Sequence, residues 1–166
     1  MALAAGIAAT VGGAATISCQ TNVNCNGTNN PDNMFGTDGH NWIDGNKGAD
    51  YIGGEGGNDD LYGDYGADDV YGHEGSDDMW GGHGPDTLVG SIGADRLYAG
   101  CSGGCNQSGE GVDYLYGNDG NDVLGAENGK TDVLDGGAGT DICYMDNQDT
   151  VRNCEEVHQG RTHIAG

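Results

Sequence analysis

Cations are scarce in this chain. Among its 166 residues, lysine and arginine together number 5 against 27 aspartates and glutamates, which gives a formal net charge of −22. The five cations are Lys47, Arg96, Lys130, Arg152 and Arg161. They are too few to follow a phosphate backbone, so the composition excludes a nucleic-acid partner and disfavours anionic membrane surfaces. A chain this acidic requires a cationic partner.

Catalytic motifs are also missing. The five histidines have no HExxH spacing, and the few serines carry no nucleophile-elbow motif. We therefore predict that the chain is not an enzyme.

The six cysteines fall into three pairs that are close in sequence: Cys19 with Cys25, Cys101 with Cys105, and Cys143 with Cys154. Spacing alone leaves 15 connectivities open. Zinc is the alternative, but no pair has CxxC spacing and no histidine lies nearby in a ligand pattern. We favour disulfides, which indicates an oxidising, extracellular or cell-surface location.

A nine-residue period runs from Gly36 to Tyr144. Its rows begin GTDGHNWID, GNKGADYIG and GEGGNDDLY, pause over residues 99–107, and resume for four more rows, one of which has ten residues. All eleven rows have glycine at position four and an apolar residue or cysteine at position eight. Such a period predicts a solenoid, because one short row cannot bury its apolar side chain alone.

These tandem rows resemble the repeats-in-toxin (RTX) nonapeptide, G-G-x-G-x-D-x-U-x. The resemblance implies an all-β fold, a parallel β-roll or β-helix solenoid in which two nonapeptides form one coil. The first six residues of each row would turn and bind Ca²⁺, and the last three would form a short strand with position eight pointing inward. The final cysteine-bearing segment is similar to the end of secreted bacterial RTX-type proteins, which implies a bridge between Cys143 and Cys154.

Position six supplies the predicted calcium ligands. Glycines at positions one and four permit a tight turn with close backbone approach, and an acidic or amide oxygen then follows, as Ca²⁺ prefers. The ten-residue row and the row with Asn41 depart from the pattern, so we expect weaker sites there. The predicted ligands are Asp50, Asp59, Asp68, Asp77, Asp86, Asp95, Asp113, Asp122, Asp132, Asp141 and Asn41.

Calcium also explains how so many carboxylates can coexist. Coils about 4.8 Å apart bring equivalent carboxylates close together, and two unit charges roughly 5 Å apart repel by about 3 kcal/mol at an effective dielectric of about 20. Summed along two edges, this exceeds the stability that a thin core supplies. We predict about nine ions per chain and folding that depends on calcium.

Aromatic residues on the outward face have two interpretations. Tyr62, Trp80 and Tyr98 should form one ladder on the solenoid surface, either as sheet packing or as a contact surface for glycans or a protein.

The first 31 residues carry no charged side chain, yet glycines weaken a helix there, so no stable membrane span is predicted. This segment could cap its own roll or pack on another subunit and generate fibres.

Three regions follow from this interpretation: an apolar N-terminal segment and cap at 1–35, a roll at 36–144 with a bridged loop at 99–107, and a C-terminal hook and tail at 145–166. We expect an extracellular calcium-binding structural protein that associates with itself as a homopolymer in a fibre or surface layer. The alternative is a monomeric secreted binding module, or adhesin, that uses its aromatic face for glycans or surfaces.

Overall fold

With the exception of the first strand, which pairs antiparallel, the regular structure in the described residues consists of parallel β-strands. The computed structural model describes residues 9–11, 14–21, 23–100 and 111–160, and in these ranges the regular elements are seventeen strands in two sheets. No part of the described chain forms a helix with the length and apolarity that crossing a bilayer requires.

From β2 onward, even and odd strands separate into two sheets as the chain winds from one to the other, and β1 joins the sheet of the even strands. The first sheet contains β1 (Ala9–Val11), β2 (Ala14–Ser18), β4 (Asp32–Thr37), β6 (Tyr51–Glu55), β8 (Asp69–Glu74), β10 (Thr87–Ile92), β12 (Tyr114–Gly120), β14 (Val133–Gly139) and β16 (Thr150–Arg152). The second contains β3 (Asn24–Asn26), β5 (Trp42–Asp44), β7 (Asp60–Tyr65), β9 (Asp78–His83), β11 (Arg96–Tyr98), β13 (Val123–Gly125), β15 (Ile142–Met145) and β17 (Glu156–Gln159). This winding confirms the predicted all-β parallel solenoid.

The nine-residue period fixes the register between coils. Leu88 on β10 lies opposite Val70 on β8 and Leu115 on β12, each at position eight of its row. The register is therefore the same on both sides of the interruption before β12. Position eight points inward on every strand because side chains alternate across a strand.

The core is a double column of these position-eight side chains. All of them are fully buried: Ile43, Ile52, Leu61, Val70, Met79, Leu88, Leu97, Leu115, Leu124, Leu134 and Cys143. Met34 continues the column toward the N-terminus with no exposed surface. Each residue contributes one layer, so each coil depends on its neighbours for burial.

Glycine at position four is required by the stacking of the turns. A Cβ atom on Gly75, whose φ is +139°, would lie 1.5 Å from the carbonyl oxygen of Gly57 in the preceding coil. No other residue tolerates both this backbone conformation and this approach. The turns can therefore stack as closely as the strands.

Both ends of the solenoid continue beyond the eleven rows. β2 pairs in parallel with β4 and antiparallel with β1, and at the other end β16 and β17 pair in parallel with β14 and β15. The boundaries at residues 36 and 144 stay a prediction. Disulfides join Cys19 to Cys25 and Cys143 to Cys154. Cys101 and Cys105, like residues 1–8, lie outside the described residues.

Candidate metal centre

The position-six side chains form two ladders, one along each edge of the solenoid where the chain passes between the sheets. Within a ladder, a side-chain oxygen accepts a hydrogen bond from the backbone N–H of the equivalent residue one coil earlier, at 2.6–3.0 Å. The first ladder contains Asp32, Asp50, Asp68, Asp86, Asp113, Asp132 and Asp149. The second contains Asn41, Asp59, Asp77, Asp95, Asp122, Asp141 and Glu155. The structure thus brings together every residue predicted as a ligand.

The second carboxylate oxygen distinguishes the inner members of the ladders. These side chains are buried, and their Oδ2 atoms accept no hydrogen bond from the described residues, although buried carboxylate oxygens ordinarily have a partner. The set comprises Asp50, Asp59, Asp68, Asp77, Asp95, Asp122, Asp132 and Asp141. A ligand that supplies positive charge would compensate these oxygens.

Burial raises the pKa values of the ladder carboxyl groups. It raises the pKa of Asp50 from 3.8 to about 7, and the backbone N–H of Asp32 offsets only part of this effect. The pKa values of Asp59, Asp68, Asp77, Asp95, Asp122 and Asp132 are raised to about 6 by the same cause. At neutral pH, the folded chain therefore gains stability from any cation that holds these groups ionised.

Backbone oxygens surround the same carboxylates. A Cβ atom on Gly54 would lie 2.5 Å from Asp59 Oδ2 and 2.9 Å from the carbonyl oxygen of Gly72, so position-one glycine keeps this oxygen-lined space open. No three acidic, histidine or cysteine side chains converge on one point in the described residues. Any ion in the ladders must therefore take carbonyl oxygens as well as carboxylates, a donor set that suits Ca²⁺.

Asn41 begins the second ladder with an amide in place of a carboxylate. Its Oδ1 accepts hydrogen bonds from the backbone N–H and the hydroxyl of Thr37 at 2.8 and 3.3 Å. Its buried Nδ2 finds no acceptor among the described residues. An uncharged oxygen that is already bonded offers a cation less than the carboxylates farther along.

The sequence did not predict three members of the ladders, Asp32, Asp149 and Glu155. Asp32 belongs to the row GTNNPDNMF, whose Gly27, Asp32 and Met34 occupy positions one, six and eight, but asparagine stands at position four. Both oxygens of Asp32 accept backbone N–H groups, from Ala15 at 3.0 Å and Thr28 at 2.6 Å. Asp149 and Glu155 end the two ladders in segments without the turn glycines. The only trace of a row there is a valine two residues after each acid, Val151 and Val157, in register with position eight.

Aspartates at position seven have a different role. Asp60, Asp69 and Asp78 lie on the outer faces of the sheets, as their alternation predicts. Asp78 accepts hydrogen bonds from Arg96 one coil later at 2.9 and 3.2 Å. These groups face solvent and neighbouring side chains and do not enter the ladders.

Aromatic rings form a ladder on the outer face of the second sheet. The Tyr62 and Trp80 rings stack with centroids 4.8 Å apart and planes 3° apart, and the Trp80 and Tyr98 centroids are 5.7 Å apart. Trp42 extends this ladder, with its centroid 5.4 Å from that of Tyr62. The two inner rings, Tyr62 and Trp80, each have a neighbouring ring on either side, so the ladder stabilises the sheet.

Comparison with protein families identifies a calcium-binding repeat. The model of the RTX calcium-binding nonapeptide repeat, in four copies, matches residues 26–61, 53–88, 80–100, 107–131 and 128–149, which is well over half of the chain. The first match includes the row of Asp32. A search of curated proteins finds no match.

Proposed function

Because the chain belongs to the RTX calcium-binding nonapeptide repeat family, we propose that it is an extracellular structural protein whose β-roll folds on calcium and assembles end to end. Calcium binding by the roll follows from the family. The fibre or surface layer, the location and the identity of the ligands are the proposed part. We also propose that the chain has no enzymatic activity of its own.

The observation that carries calcium-dependent folding is the pair of buried ladders. Eight carboxylates have an oxygen without a hydrogen-bond donor in the described residues, and burial raises the pKa of each. Ionised and without a cation, they would oppose folding at neutral pH. Divalent ions remove this penalty and link neighbouring turns, so binding and folding are one process.

End-to-end assembly is supported by the open C-terminal end. Val157 occupies the inward column opposite Cys143, yet it is 47% exposed, whereas the inward residues of the eleven rows have no exposure. β16 and β17 are the outermost strands of their sheets in the described residues. An open edge of this kind favours pairing with another chain.

Charge favours one orientation of that contact. The C-terminal end presents Glu155 and Glu156, while the first 31 residues of the chain carry no charged side chain. Contact between two C-terminal ends places these glutamates against each other. Head-to-tail contact avoids this repulsion, and heterologous contacts of that type produce filaments.

Disulfides support the proposed location. Two bridges are present in the described residues, at Cys19–Cys25 and Cys143–Cys154. Such bonds persist in oxidising environments and are rare in a reducing cytosol.

The alternative function is a monomeric secreted module that binds glycans or surfaces through the aromatic ladder. Its basis is the partial exposure of Tyr62, Trp80 and Tyr98 on one face. A sugar ring stacks on an open aromatic face, but Tyr62 and Trp80 direct their faces at neighbouring rings. This arrangement favours the structural proposal.

Size and shape in solution test the proposal. In millimolar calcium, light scattering and electron microscopy should detect elongated particles, which disperse and lose their β-sheet circular dichroism when excess chelator is added. A small folded species in calcium would support the monomeric module. A structure indifferent to chelator would refute calcium-dependent folding.

A matched pair of substitutions tests the open end. Val157→Glu should abolish the particles and leave a folded chain, because it places a charge on the contact surface. Ile92→Glu is the control, since Ile92 is 57% exposed on the edge of the roll, away from its ends. Particles that survive Val157→Glu would contradict assembly through this end.

A further inference from the structure

The ten-residue row at 126–135 breaks the stack of turns along the first ladder. In earlier coils of this edge, a Cβ atom on Gly66 would lie 1.5 Å from the Gly48 carbonyl oxygen, and one on Gly84 would lie 1.5 Å from that of Gly66. A Cβ atom on Gly129 would meet nothing within 4 Å. The extra residue therefore moves this turn away from its neighbour.

The side chain of Asn128 lies in this turn and reaches back into the ladder. It is only 7% exposed, and its Nδ2 donates a hydrogen bond to Asp113 Oδ2 at 3.1 Å. Its Oδ1 accepts the backbone N–H of Lys130 at 2.8 Å, which fixes the orientation of the amide. Its backbone N–H donates to the Ala126 carbonyl at 2.9 Å.

Asp113 consequently differs from Asp50 and Asp68, which precede it in the ladder. Its Oδ1 accepts the backbone N–H of Asp86 at 2.8 Å, as the ladder requires, and its Oδ2 accepts the Asn128 amide. The Oδ2 atoms of Asp50, Asp68 and Asp132 accept no hydrogen bond from the described residues. At the two ends of this ladder, backbone N–H groups bond the second oxygens of Asp32 and Asp149. Asp113 lies between them and receives a side-chain amide instead.

We propose that the Asn128 amide takes the place of a calcium ion beside Asp113, so that this coil closes without calcium. The proposal rests on calcium binding by the other ladder carboxylates. An amide N–H donor compensates carboxylate charge but cannot ligate a cation, since calcium binds oxygen. For calcium to enter, Asn128 must leave a buried position and lose both side-chain hydrogen bonds. Asp113 is then a structural acceptor, although its row predicts a ligand.

Counting bound ions tests the proposal directly. Native mass spectrometry at saturating calcium gives the number of ions per chain for the wild type, Asn128→Gly and Asn121→Gly. Asn121 is the matched control, because its side chain accepts the Thr140 N–H at 2.9 Å and has no hydrogen bond to a ladder carboxylate within the described residues. Asn128→Gly should bind one ion more than the wild type, and the control should bind the same number.

The outcomes separate this proposal from the proposed function. Equal counts in Asn128→Gly and the wild type would overturn the role of Asn128 and leave calcium binding intact. A wild type that binds no calcium would overturn both.

A measurement on the wild type keeps the proposal testable if Asn128→Gly fails to fold. The side-chain amide protons of Asn128, followed by NMR at saturating calcium, should exchange slowly with solvent, since they stay buried and bonded. Exchange as fast as that of an exposed asparagine would show that the amide leaves Asp113 when calcium binds.

Discussion

Removing calcium should unfold the roll at neutral pH, and acid should restore it. Seven ladder carboxyls have folded-state pKa values of about 6 to 7 against an ordinary value of 3.8. A difference of that size costs the ionised folded state about 3 kcal/mol per group. Halved for solvent screening, the seven groups together oppose folding by about 10 kcal/mol, which matches the whole stability of an ordinary domain.

The direction of the pH dependence follows from the sign of these shifts. Each group binds its proton more tightly in the folded chain, so the penalty is complete above about pH 7 and absent below about pH 4. The metal-free chain should therefore gain β-structure as the pH falls through this window. Calcium affinity should fall over the same window, because protons compete for the same oxygens.

Circular dichroism and tryptophan fluorescence in excess chelator, from pH 8 to pH 4, measure this transition at low protein concentration. Trp42 and Trp80 lie in the aromatic ladder, so their emission reports on stacked coils. A chain that is folded in chelator at pH 7.5, or that stays unfolded at pH 4.5, would refute the reasoning.

One substitution should act with opposite signs in the two conditions. Asp77→Asn removes a penalised charge, so at pH 5.5 in chelator we expect a gain of about 1 kcal/mol in the free energy of unfolding by urea. In calcium at pH 7.5 it removes a predicted ligand and should destabilise the roll. Asp69→Asn, on the exposed outer face, is the control and should change little in either condition.

Three further changes test the packing of the roll, each by urea unfolding in saturating calcium. Gly75→Ala places a methyl group 1.5 Å from the Gly57 carbonyl oxygen and should cost about 3 kcal/mol or more, whereas Gly100→Ala meets nothing within 4 Å and should cost far less. Leu88→Ala empties one layer of the core column and should cost about 2–5 kcal/mol. Glu55→Gly relieves a left-handed φ of 75° and should stabilise the roll by about 1 kcal/mol; no gain would contradict the strain assigned to this position.

The sequence predicts the structure of the repeating rows, but not the contacts that form where a row departs from the repeat. The period predicts the inward column and the ladders, because each row supplies one apolar residue at position eight and one carboxylate at position six. When the rows stack, equivalent positions lie above one another. Asp32 was not predicted, because its row has Asn30 at position four, where the other rows have glycine, and Pro31 at position five. The contact of Asn128 with Asp113 could not be predicted, because it depends on how an inserted residue displaces one turn.

The two kinds of cross-link occupy different parts of the roll. Residues 14–26 contain no acidic side chain, so calcium has no carboxylate to bind in the first coil. That coil holds the buried Cys19–Cys25 bridge instead, with Cys25 in the column opposite Ile43.

At the other end, Cys143 ends the buried column and is bonded to Cys154 in the terminal coil. Terminal coils of a solenoid have only one neighbour and fray first. The two disulfides of the described residues therefore lie near the ends of the ladders, and the carboxylates concentrate in the coils between them.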